Sequence, residues 1–145
     1  MRMRCLDLSL SMLCVLIGCA GAHAQTADIR RGERVYLGEA DVSGHMVGHT
    51  TNLPRMALKC VNCHAKDASV QKDKTGFAPP LSGAHLLHQK SRRGGPPSKY
   101  DLPGFCKLLR EGIDPAFVVI DNAMPRYKLS LVDCESLWLY VKQLK

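Results

Sequence analysis

Residues 59–67 read KCVNCHAKD, and the Cys60-x-x-Cys63-His64 arrangement inside this stretch constrains the chain more than any other feature. Two thiols three positions apart can engage one ligand together, and the imidazole that follows adds a nitrogen donor beside them. Such a cluster admits three chemistries: half of a structural zinc site, a redox dithiol, or the attachment point of a c-type haem. Which one applies depends on where the chain resides and on what other donors it carries.

The start of the chain bears on the first point. Arg2 and Arg4 precede a short apolar run, Leu8 to Ile17, and Ala22-His23-Ala24 fits a small-x-small cleavage pattern. Residues 1–24 therefore read as an export signal peptide cleaved after Ala24, the mature chain running over 25–145 as one domain. The apolar run is short for a bilayer span. Leu16-Ile17-Gly18-Cys19 also resembles a lipobox, which would place a lipid on Cys19 and anchor the chain to a membrane. Both versions predict a periplasmic location, an oxidising compartment in which thiols need partners. Three of the seven cysteines (Cys5, Cys14 and Cys19) lie in the leader, leaving Cys60, Cys63, Cys106 and Cys134.

Those four settle the choice of chemistry. A structural zinc site usually takes two Cys/His pairs with short internal spacing, whereas Cys106 and Cys134 stand 28 residues apart. A thioredoxin-like dithiol needs a βαβ context that the hydrophobic pattern lacks. A c-type haem needs only what is present: two cysteines for thioether bonds and the adjacent histidine as an iron ligand. The reading is one covalent haem c held by Cys60, Cys63 and His64, with Lys59 to Ala65 wound as a helical turn. Cys106 and Cys134 then pair as a disulfide or remain buried small residues; a free thiol near the iron would open a catalytic or ligand-switching role.

The remaining pattern predicts short helices separated by long loops. Ile29, Gly32, Val35 and Tyr36 recur at helical spacing within 25–38, with Gly38 as a stop. Residues 39–55 are rich in Gly, Ser and Thr and read as a long loop or hairpin. Residues 65–100 are mostly loop around a short helix at His85 to Gln89. Asp101 and Gly112 bracket a helix with Leu102, Phe105, Cys106 and Leu109 on one face. Asp114-Pro115 starts a further short turn. Ser130 with Asp133 signals the last helix, striped by Cys134, Leu137, Trp138, Val141 and Leu144. No run longer than Phe117 to Ile120 reads as a strand. The expected fold class is all-α, poor in core for its loop content, and a buried macrocycle would supply the missing apolar nucleus.

Over most of residues 25–145 the chain resembles the class I cytochrome c family. Gly32 with Tyr36 look like the glycine and aromatic pair of its N-terminal helix, and Leu137, Tyr140 and Val141 look like the face that crosses it. Pro79-Pro80-Leu81-Ser82-Gly83 matches its P-x-L-x-G loop, and Met124-Pro125 its distal methionine. The resemblance implies a cytochrome c fold of three to five short helices around one haem. It also implies that the Pro79 carbonyl holds Nδ1 of His64 and that Met124 ligates the iron opposite it. The 23 residues between Tyr36 and Cys60, which include the 39–55 insertion, depart from the family pattern.

Met124 has independent support, since a thioether is a soft ligand suited to iron. Met46 and Met56 precede the anchor, and Met56 is too close to reach across. His85 and His88 are the alternative for two-histidine ligation and otherwise read as surface residues, as do His45 and His49. Tyr127, Tyr100, Arg126 and Arg92 are candidates to bond the haem carboxylates. With a net charge of +7, the chain favours partners with acidic docking patches. Eight scattered aromatics without a basic block exclude a nucleic-acid platform. Membrane contact is expected only through Cys19. The implied activity is non-enzymatic: electron transfer in the periplasm, with iron cycling between Fe(II) and Fe(III). A haem subunit of an exported sulfur- or alcohol-oxidising dehydrogenase is the alternative. A gas or redox sensor with a labile distal ligand is a third.

Overall fold

Gly32 decides how the two ends of the chain meet. In the computed structural model, which describes residues 28–64 and 78–145, the first helix (α1, 28–37) crosses the last one (α4, Leu131–Val141) at this glycine. A Cβ here would overlap the carbonyl oxygen of Ser136, so the crossing brings backbone against backbone. Beside it the rings of Tyr36 and Tyr140 lie tilted with centroids 5.4 Å apart, and at the rim Arg31 Nε donates to Asp133 at 2.7 Å. Ser130 caps α4 by accepting from the Asp133 N–H at 3.1 Å. Residues 1–24, read from the sequence as an export leader, and Cys19 with them, lie outside the described residues.

Two further helices complete the frame. Helix α2 (Gly83–Leu87) contains His85, begins where the Ser82 hydroxyl caps it at His85 N, and ends before His88 and Gln89. Helix α3 (Leu102–Glu111) is capped by Asp101, whose carboxylate accepts from Gly104 N at 2.8 Å. It ends at Gly112, which takes the left-handed conformation with φ 72° and donates to Leu108. Phe105 of α3 packs on Trp138 of α4 with centroids 5.2 Å apart. Beside that contact Cys106 and Cys134 form a disulfide. Closing a loop of this length removes roughly 3–4 kcal/mol of unfolded-chain entropy. Tyr36, Leu58, Leu86, Phe105, Leu137 and Val141 form the innermost core.

The 39–55 insertion does not fold as a hairpin on itself. Its Ser43–His45 segment (β1) pairs antiparallel with Arg126–Lys128 (β2), Gly44 facing Tyr127 and His45 facing Arg126. The molecule is therefore partly helical with a small two-stranded sheet rather than purely helical. Gly44 permits the approach: a Cβ there would lie 2.8 Å from the Arg126 oxygen and 3.0 Å from Leu58 Cδ2. The insertion closes with Leu53 N on Gly44 O at 2.8 Å and Arg55 Nη2 on Glu39 O at 3.0 Å. Phe117 to Ile120 forms no strand; it belongs to a turn closed by an Ile113–Val119 bridge. No described helix is long and apolar enough to cross a membrane.

Candidate functional site

The cysteine-histidine motif winds tightly. Two 3₁₀ turns, Arg55–Leu58 and Cys60–Asn62, follow one another, joined by Asn62 Nδ2 donating to Met56 O at 2.8 Å. His64 N and Cys63 N both return to Cys60 O, at 2.8 and 3.2 Å. The expected helical turn is thus a 3₁₀ turn, and Ala65 lies outside the described residues. The turn buries Cys60 and His64 and exposes Cys63.

His64 is fixed from both sides. The Tyr36 hydroxyl of α1 donates to its carbonyl oxygen, and its Nδ1 lies 2.7 Å from the Pro79 carbonyl. A carbonyl only accepts, so Nδ1 carries the hydrogen and the lone pair of the neutral ring sits on Nε2. Burial, foremost, lowers the imidazole pKa and outweighs the Pro79 bond; the nearby Arg93 charge lowers it further. Burial also pushes the Cys60 thiol up to about 11, against a smaller opposing effect of the Tyr127 hydroxyl. A thiol so raised is a poor redox nucleophile at neutral pH. No group of three or more His, Cys, Asp or Glu among the described residues could hold a metal ion by itself.

Met124 reaches the same place from the opposite end of the sequence. It sits half-buried in a turn where its N–H donates to Asp121 O at 3.2 Å and its carbonyl accepts from Arg126 Nη1 at 2.6 Å. Cys60, Cys63, His64, Pro79 and Met124 line one cavity of about 390 Å³, within the range of small-molecule and cofactor pockets. Ala57, Ala78, Ile120 and Pro125 make much of its wall apolar. A hollow of about 50 Å³ shares His64, Pro79 and Met124 and continues toward Leu86, Phe105 and Leu137 of the core.

The other rim is cationic. Lys90, Arg92 and Arg93 line the same cavity. Arg92 is buried: its Nη2 bonds the carbonyls of His85 and His88, its Nη1 those of Lys90 and Ser98, and its guanidinium lies over Tyr100. Its Nε is the one buried side-chain nitrogen or oxygen among the described residues without a hydrogen-bond partner. An orphaned buried donor of this kind calls for an acceptor. A haem offers the matching set, with carboxylates for this edge, an apolar ring for the wall, iron for Nε2 and thioether carbons for the two sulfurs. The residues present fit the group.

His85 departs from the surface position the sequence suggested. It lines the cavity half-buried, its Nδ1 accepting from Lys90 Nζ at 2.8 Å. Burial first, then Lys90 and the two arginines, push its pKa down to about 4. His88 and His49 are exposed, and His45 lies half-buried in β1. Among the carboxylate candidates, Arg92 and Tyr127 line the cavity. Tyr100 borders the smaller hollow, and Arg126 instead serves the Met124 carbonyl. Lys90 and Arg93 escaped notice because their positions follow from the fold of the 85–98 loop, which has no periodic pattern. No protein-family model, no curated protein and no solved structure matches the chain.

Proposed function

We propose that the chain is a periplasmic, monohaem c-type cytochrome of class I architecture that carries electrons between protein partners and catalyses no reaction of its own. The observation that supports this reading best is that Cys60, Cys63, His64 and Met124, distant in sequence, line one cavity with the His64 lone pair left on Nε2. Haem supplies reversible one-electron chemistry when bound, and the chain supplies everything that makes this fast. Cys60 and Cys63 would hold the ring edge at the surface. His64, kept in one tautomer by Pro79, and Met124, kept in its turn by Arg126, would be the iron ligands. Because both ligands sit on hydrogen-bonded backbone, a change of charge demands little reorganisation. The apolar part of the wall would lie against the ring, and Arg92 would neutralise a haem carboxylate. Partners with acidic docking patches suit the net charge of +7.

A reduced pyridine haemochrome spectrum of the exported protein tests covalent attachment, and the weak near-red methionine-to-ferric-iron band tests the distal ligand. The expected result is a two-thioether haemochrome with that band present in the wild type and lost in Met124→Ala. A missing haemochrome overturns the reading. A band that persists in Met124→Ala removes Met124 from the site, and its absence in wild type points to His85.

A further inference from the structure

Phe117 is the most exposed large apolar side chain among the described residues, at 81 %, and Val119, two positions on, is exposed at 65 %. Such exposure in a loop is unremarkable when the loop can fold over, but this one is clamped. The Asp114 side chain is fully buried, and its Oδ1 accepts from both Ala116 N and Val118 N at 2.9 Å. Its Oδ2 pairs with Arg93 at 3.1 Å. Phe117 N returns to Asp114 O and Asp114 N to Val118 O. Val118 seats against Gly95, so close that a Cβ on the glycine would lie 2.7 Å from Val118 Cγ2.

Within this frame Phe117 takes φ 61°, a left-handed conformation unusual for a bulky residue. The only other non-glycine residue with positive φ among the described residues is Arg93, at 48°, the ion-pair partner of the same carboxylate. Strain of this kind persists where the surrounding structure holds it, and it gathers at functional sites. Here it holds an aromatic ring outward on a rigid tip.

The tip stands beside the cavity. Ile120 and Asp121, the next residues along, line the cavity wall, as do Arg92 and Arg93 beneath it. Lys107 Nζ lies 5.4 Å from the Phe117 ring centroid; the one acid within residues 114–119 is the buried, paired Asp114, and the exposed Asp121 lies two residues beyond Val119.

We propose that Phe117 and Val119, flanked by Lys107, are the docking point for an acidic redox protein. The ring enters an apolar recess of the partner, and Lys107 meets a carboxylate beside it. A rigid aromatic anchor inside a charged rim is the arrangement that concentrates binding energy at protein interfaces. The proposal rests on the electron-carrier reading for the identity of the partner, but the surface itself does not depend on haem.

The test is an NMR and anisotropy titration with oxidised flavodoxin, a small acidic flavoprotein, as the probe, under conditions where no electron passes. The wild type is expected to shift signals at Lys107 and residues 114–119 and to bind more weakly as salt rises. Phe117→Gly suits the left-handed backbone and so keeps the fold; it should weaken binding about tenfold. Leu131→Ser, at the exposed start of α4, should bind as wild type. Unshifted tip signals, or a Phe117→Gly variant that binds as wild type, overturn the proposal. So does Phe117-dependent sedimentation with phosphatidylglycerol–phosphatidylcholine vesicles without flavodoxin binding, which makes the tip a membrane wedge. Tip shifts on concentrating the protein alone overturn it in favour of self-association. Exported protein that gave no haemochrome but whose tip still bound would overturn the carrier reading alone; a haem-loaded chain whose tip did not bind would overturn the docking surface alone.

Discussion

Arg126 lays its guanidinium against the Cα of Gly112, so closely that a Cβ on the glycine would overlap it. From that position Arg126 donates to the Met124 carbonyl at 2.6 Å. The end of α3 therefore sets the backbone on which the proposed distal ligand sits. Gly112→Ala meets two obstacles, the left-handed φ of 72° and the guanidinium itself. The conformational part alone costs about 1–2 kcal/mol. Urea unfolding should show at least that loss, and the near-red methionine band should weaken, because Arg126 must leave its place. A variant with reduced stability but an unchanged band would separate the two effects and show that Arg126 does not position Met124.

The insertion acts on the same segment from its other side. Gly44 faces Tyr127 across the ribbon, and a larger residue would push β1 off β2. Gly44→Val should therefore loosen the turn carrying Met124, its second contact being the Leu58 side chain ahead of the motif. The ferrous protein is expected to bind carbon monoxide markedly faster than wild type, with haem attachment unchanged. Equal rates would mean that the ribbon does not restrain the distal side.

Cys106 and Cys134 bracket the Met124 segment in sequence and join α3 to α4. Replacing both with alanine should lower unfolding stability by about 2–4 kcal/mol in the oxidised protein. Under reducing conditions the wild type should fall to nearly the level of the variant. The methionine band is expected to survive in folded protein, since Asp121 and Arg126 hold the turn locally.

Acid should loosen the contact between the chain's two ends. The hydrogen bond from Arg31, foremost, and those of Ser130 hold the Asp133 carboxyl below its usual value. A depressed folded-state pKa means that the unfolded chain binds protons more readily. The stabilisation is then present above the ordinary carboxylate range and lost as pH falls through the folded value. From about pH 5 downward the wild type should lose more stability than Asp133→Asn, the two converging once the pH falls below the lowered Asp133 value. Arg31 is exposed, so added salt should shrink the difference. Parallel curves would show that the pair contributes nothing.

Helix positions are legible in the sequence because their signals are local. Asp101 and Gly112 mark α3, and Ser130 with Asp133 marks α4, by bonds that span three or four residues. The Cys60, Cys63 and His64 cluster is legible for the same reason: its chemistry lies in adjacent side chains. His85 reads from the sequence as a surface residue because its burial depends on Lys90 and Arg92, which the 85–98 loop folds back onto it. The β1–β2 ribbon was invisible because three-residue strands 80 residues apart carry no periodicity of their own.

By itself, then, the sequence determined the thiols and imidazole, the helix caps, the basic charge and the small residues on which close crossings depend. Tertiary structure alone decided that Met124 faces the same cavity as His64, that Arg92 is buried with an unmet donor at its rim, and that Phe117 stands outward beside it. Each of these depends on contacts between residues far apart in the chain. Burial, backbone register and the direction of a side chain are set by those contacts and not by local propensity.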